Sequence, residues 1–201
     1  MRYLMLAPLL GLLACSDVEN PGDDVDGHDH GLVTKVELSF TPDGGGDALV
    51  FAWSDPENDG DPVIDPIVLP EGDHALTIAL WNELEDPSDD VTVEVEAEGE
   101  EHQLFLTGSG VQSEATGDNP AALLDISYAD EDDGGLPLGL EHVLRTMATG
   151  ERELLVTLRH LPPEDGTATK TAGLADDVAA DGFGSLPGDT DVQVRFDLMV
   201  E

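Results

Sequence analysis

Asp55-Pro56-Glu57-Asn58-Asp59-Gly60-Asp61 places carboxylates at alternate positions around a glycine. Oxygen ligands at that spacing can wrap one hard cation, and the glycine permits the sharp turn such a loop needs. Asp55, Glu57, Asp59 and Asp61 are the first candidate calcium ligands, with affinity expected in the millimolar range of extracellular modules. The histidines form a second set. His28 and His30 stand in Asp26-Gly27-His28-Asp29-His30, where imidazole and carboxylate suit Zn²⁺ or Cu²⁺, though a flexible segment holds either weakly. Further along, His160 continues the face of Leu154, Val156 and Leu158. A hairpin pairing Leu144 with Leu158 would set His142 directly opposite His160. Two imidazoles that close could share Zn²⁺ or Cu²⁺, with His102 or His74 as a third ligand; a one-residue slip would separate them.

A second acidic loop, Asp130-Glu131-Asp132-Asp133-Gly134-Gly135, offers Asp130 and Asp132. Glu141 stands where an EF-hand loop puts its bidentate ligand. The loop departs from that pattern at Gly134, which supplies no side-chain oxygen, and Pro137 lies inside it. Its flanks read as strands, so the expectation is a cation-binding loop between strands. A solvated acidic turn is the plain alternative for both loops. Calcium ranks ahead of zinc or copper as the expected cofactor.

Catalytic spacing is harder to find. Gly108-Ser109-Gly110 and Gly184-Ser185 flank serines with glycine, but neither completes the nucleophile elbow G-x-S-x-G. Neither a phosphate-cradling glycine loop nor H-E-x-x-H occurs. The expectation is a protein that is not an enzyme. The chain carries 45 Asp and Glu against 7 Lys and Arg, a formal charge of -38. That excludes electrostatic attraction to nucleic acid or anionic lipid as its main activity. Only two lysines occur, Lys35 and Lys170. A surface so rich in hydrated carboxylates suits salt water, divalent cations or simple solubility.

These residues need a scaffold, and the sequence reads as strands. Val36, Leu38 and Phe40 alternate with polar residues, as do Leu49, Phe51 and Trp53, then Leu76, Ile78 and Leu80. Val91, Val93, Val95 and Ala97 repeat the period, and β-branched valines favour strand over helix there. Leu104 and Leu106, then Leu124, Ile126 and Tyr128, add two more. Residues 140–148 and 153–161 read as a hairpin across Gly150, and Val192 to Val200 gives the cleanest alternation. Arg145, Arg159 and Arg195 are expected on outer faces, offsetting acid. The fold class expected is all-β: a single antiparallel β-sandwich, immunoglobulin-like, of eight to nine strands. It occupies residues 32–201, with 162–189 a long loop, and is long enough to bury a core without disulfides.

The first residues say where such a domain resides. Arg2 precedes a short apolar run from Tyr3 to Leu13, and Leu12-Leu13-Ala14-Cys15 closes it. This resembles the lipobox of bacterial lipoproteins. The resemblance implies that residues 1–14 are a signal peptide cleaved before Cys15, which takes a diacylglycerol and an acyl chain. The run falls short of the roughly 20 residues a spanning helix needs, and multiple acyl chains give stable anchoring. Cys15 is the sole cysteine, leaving no disulfide to form. Residues 15–31 are polar, acidic and Pro/Gly-containing, a disordered tether. Ser16 rather than aspartate follows the cysteine, which in the family rule favours the outer membrane.

Several further segments carry a second resemblance: Glu101-His102-Gln103-Leu104-Phe105, Leu136-Pro137-Leu138-Gly139-Leu140, Thr157-Leu158-Arg159-His160-Leu161-Pro162 and Thr190-Asp191-Val192-Gln193-Val194. Together they resemble small bacterial outer-membrane lipoproteins described as type 1 periplasmic binding fold superfamily proteins. The resemblance implies an envelope location and a shared sandwich, and no activity. The functional expectation is therefore an envelope lipoprotein, held to the membrane by its lipid, that presents an acidic sandwich to a ligand or an outer-membrane protein partner. The alternative is an accessory that hands Zn²⁺ or Cu²⁺ to an outer-membrane transporter. A purely structural role in the envelope is the third.

Overall fold

The computed structural model describes residues 31–201. The expected signal peptide (1–14), Cys15 and the expected tether up to residue 30, with His28 and His30, lie outside them. Strand β1 (Lys35–Pro42) pairs antiparallel with β2 (Leu49–Ser54), setting Val36, Leu38 and Phe40 opposite Trp53, Phe51 and Leu49. Two short strands follow, β3 (Val63–Ile64) on the edge of β2 and β4 (Ile67–Leu69), which crosses to the other sheet. Strand β5 (Asp73–Asn82) returns beside β1, carrying β6 (Asp89–Asp90) at its far end. Helix α1 (Val91–Ala97) leads through a 3₁₀ turn into β7 (His102–Thr107). Then come β8 (Val111–Gln112), β9 (Leu124–Tyr128), β10 (Glu141–Thr146) and β11 (Gly150–His160). Helix α2 (Leu174–Asp181) precedes the last strand, β12 (Asp189–Val200).

The result is mostly β, in two sheets. The larger runs β3-β2-β1-β5-β10-β9-β8, the smaller β4-β12-β11-β7. Alternate residues of both turn inward, so Leu38, Phe40, Ile78 and Leu80 of one sheet share a core with Leu104, Val156, Leu158 and Phe196 of the other. The Tyr128 hydroxyl donates to the Leu104 carbonyl at 2.9 Å, joining β9 of one sheet to β7 of the other. Among the described residues twelve strands rather than eight or nine make up this arrangement, because three of them are only two residues long. Pairing is antiparallel except for β4 with β12 and β8 with β9.

Four expectations are corrected. Residues 91–97 form a helix, not a strand: the Asp90 carboxylate accepts from the Thr92 N–H as an N-cap, and Val91 and Val95, four apart, are the residues buried. Val93, which the strand reading made a core residue, is exposed.

The stretch 162–189 is not an unstructured loop. It contains α2 and folds over the outer side of β7, where Leu161, Leu174, Val178 and Leu186 enclose Phe105 in a second apolar cluster. Phe183 packs edge-to-face on Phe105, with ring centroids 5.5 Å apart.

Strands β10 and β11 are not a hairpin. The turn between them passes from one sheet to the other, β10 lying between β5 and β9 while β11 lies between β7 and β12. Of the arginines expected outside, Arg145 and Arg195 do face solvent, paired with Asp73 and Glu153. Arg159 is buried, donating to Thr190 Oγ1 and to the carbonyls of Pro187 and Gly188.

Candidate functional site

Strand register collects most of the chemistry at one end of the sandwich. The loop after Ser54, the acidic segment after Asn82, the start of β7, the end of β11 and the start of β12 all lie there. The turn 130–137 joins them, because Leu140 and Leu138 bond backward into β5 and β7 through Ile78 N–H and Leu104 N–H. The opposite end carries Asp43 to Asp47, Pro70 to Gly72 and the β10–β11 turn.

In the first loop Asp55 is buried, and its carboxylate accepts from the N–H groups of Asp59 at 3.1 Å and Gly60 at 2.9 Å. Asp59 in turn accepts from the Asp61 N–H. Gly60 takes φ +84°, the left-handed conformation that lets the loop curl back on Asp55. Glu57, Asp59 and Asp61 are exposed. The loop is therefore shaped by its own backbone donors, with the outer carboxylates toward water.

The second turn uses the same device twice. Asp130 accepts from Gly139 at 2.8 Å, Leu140 at 2.7 Å and Glu141 at 3.0 Å. This grip needs Gly139, whose φ is +91° and whose added Cβ would stand 2.6 Å from the Leu104 carbonyl oxygen. Glu141 takes part through its N–H, while its residue is exposed. Asp132 accepts from Leu136 N–H at 2.9 Å and lies 2.7 Å from the Lys170 ammonium, both side chains 1 % exposed. Burial acts to raise the Asp132 carboxyl, but Lys170 and the N–H groups of Leu136 and Gly134 outweigh it and hold it below the ordinary 3.8. A depressed carboxylate contributes stability above its ordinary value, and that contribution is lost as pH falls through the lower, folded value. Lys170 was not among the residues singled out from the sequence.

The histidines are regrouped. His142 does not face His160: they stand in different sheets. His160 pairs across strands with His102, their rings stacked with centroids 5.0 Å apart and 19° between planes. His102, 1 % exposed, donates from Nδ1 to the Glu98 carbonyl at 3.1 Å. Its Nε2 lies 3.8 Å from Asp191, and His160 Nε2 lies 3.8 Å from Glu101. His142 sits within the core-facing side of β10 between Leu76 and Tyr128, whose ring is 5.0 Å away. His74 is diagonal to it on β5 and also buried. Among the described residues, no group of three or more His, Cys, Asp or Glu side chains is arranged to hold a metal ion.

No protein-family model, curated protein or solved structure matches the chain.

Burial drives the His142 imidazole down from 6.5 to about 4, so it is neutral in the folded protein at neutral pH. The unfolded chain takes up a proton between those values and the folded chain does not, so stability falls as pH drops from 6.5 toward 4 and is affected no further below it. The full shift corresponds to roughly 3 kcal/mol. Denaturant melts of wild type and His142→Leu at pH 7 and pH 4 should show the variant losing about that much less on acidification. Equal losses would mean that the ring is not held neutral in the core.

Proposed function

We propose that this chain is a lipid-anchored, non-enzymatic envelope protein that presents the acidic end of an immunoglobulin-like β-sandwich to a ligand or a protein partner. The observation that carries this reading is the gathering of both acidic loops and the histidine pair at a single end, on turns already shaped by internal hydrogen bonds. Rigid loops on a sheet scaffold bind with little ordering cost. Calcium is the cation proposed for this end. With Asp55, Asp130 and Asp132 already bonded internally, the exposed Glu57, Asp59, Asp61 and Glu141 are the carboxylates through which it would act.

Attachment is proposed through lipid on Cys15, with the outer membrane as destination and residues 15–31 as tether. Among the described residues no helix is long and apolar enough to cross a membrane. Feeding an alkyne-tagged fatty acid to cells expressing the full chain tests the anchor. Label and membrane fractionation are expected in the wild type and lost together in Cys15→Ser; a Cys15→Ser protein that stays labelled sinks it.

A second reading, a Zn²⁺ or Cu²⁺ accessory to an outer-membrane transporter, is favoured by the stacked His102–His160 pair between Asp191 and Glu101. Metal bonds of about 2 Å would require those carboxylates to draw in. Calorimetric titration with Zn²⁺ separates the readings: saturable micromolar binding removed by His160→Ala promotes the accessory, and no binding tighter than millimolar eliminates it.

A further inference from the structure

Lys170 is one of two lysines in the chain, and it is buried against Asp132 with Nζ 2.7 Å from Oδ2. Nζ also donates at 2.7 Å to the Gly99 carbonyl, so the nitrogen is held from a second side beside the carboxyl group, and among the described residues Oδ2 has no partner besides Lys170. A carboxyl C–O bond of about 1.2 Å puts Cγ within about 4 Å of Nζ at any angle, close to near-attack distance. Three elements fix the geometry: the Asp132 turn, the 3₁₀ turn at Gly99 and the segment that carries α2.

We propose that Lys170 and Asp132 condense to an isopeptide bond, covalently joining the acidic turn to the segment that covers β7. The ion pair first transfers a proton from Nζ to the carboxylate, against the pairing that holds Asp132 ionised, and so gives transiently the neutral amine and acid that condensation requires. Burial lowers the Lys170 ammonium from its ordinary value, which assists that transfer. The nitrogen lone pair then forms the Nζ–Cγ bond, and one carboxyl C–O bond breaks. The departing oxygen leaves as water, having received two protons that began on Nζ. Nothing is oxidised or reduced, and no co-reactant is consumed. Moving the second proton needs a nearby carboxyl. Asp130 is occupied by three N–H groups. Glu100, exposed on the 3₁₀ turn and near enough for its charge to act on the Lys170 ammonium, is the carboxyl proposed to carry it.

Peptide mapping of the full-length protein, purified folded and then denatured and digested with trypsin, tests the bond. An amide on Lys170 blocks cleavage there, so peptide 160–195 should appear joined to peptide 36–145, one water lighter than their sum. Lys170→Arg keeps the charge and cannot form the amide at Asp132 by this route, so its digest should give 36–145, 160–170 and 171–195 as three separate peptides. Recovery of 36–145, 160–170 and 171–195 as separate unmodified peptides from folded wild-type protein would overturn the proposal and leave an ion pair alone.

Discussion

In a chain with 45 Asp and Glu against 7 Lys and Arg, few carboxylates can draw on a cation. This shortage shapes the polar interior more than any other feature. A carboxylate removed from water needs compensating donors, and here they come mostly from the backbone. Asp55 and Asp130 each take N–H groups from their own turns, so the acid that looks like a cation ligand in the sequence is what gives the turn its form. Asp132 is the exception, using one of only two lysines. Turns built this way are stiff because releasing the backbone would strand a buried charge.

The apolar layer follows a simpler rule. Inward residues at period two from both sheets make one core, and the crossing from β10 to β11 lets a single short turn close the sandwich across its layers. The second cluster around Phe105 gives the smaller sheet an outer cover at β7, where all six strand residues are buried. Lys170 lies on that covering segment, so the ion pair with Asp132 links the cover to the acidic end. Packing and electrostatics therefore meet at one place.

The strands were legible because a half-buried sheet forces alternation, as at Val36, Leu38 and Phe40 or Val192 to Val200. Sheet membership was not. Residues 141–146 and 150–160 alternate equally well as a hairpin or as strands of opposite sheets, and only long-range partners decide, so His142 was set against His160 when His102 is the true neighbour. Val91, Val93 and Val95 fit either period, and Asp90 as N-cap settled it for helix. In 162–189 Leu174, Ala175 and Val178 do keep helical spacing, but over one eight-residue helix with no second apolar turn to extend the period, and Lys170 stands alone among threonines and alanines with no local sign of its partner. His160 sits on the Leu158 side of β11, opposite His102, as alternation requires.

The acidic end is preformed by its own backbone donors. Amide hydrogen exchange at Gly60, Gly139 and Leu140, measured in chelator and again in millimolar calcium, tests it most directly. The same protection is expected in both, because Asp55 and Asp130 already hold those N–H groups. Protection that appears only with calcium would contradict it, and would mean that the cation, not the chain, builds the turns.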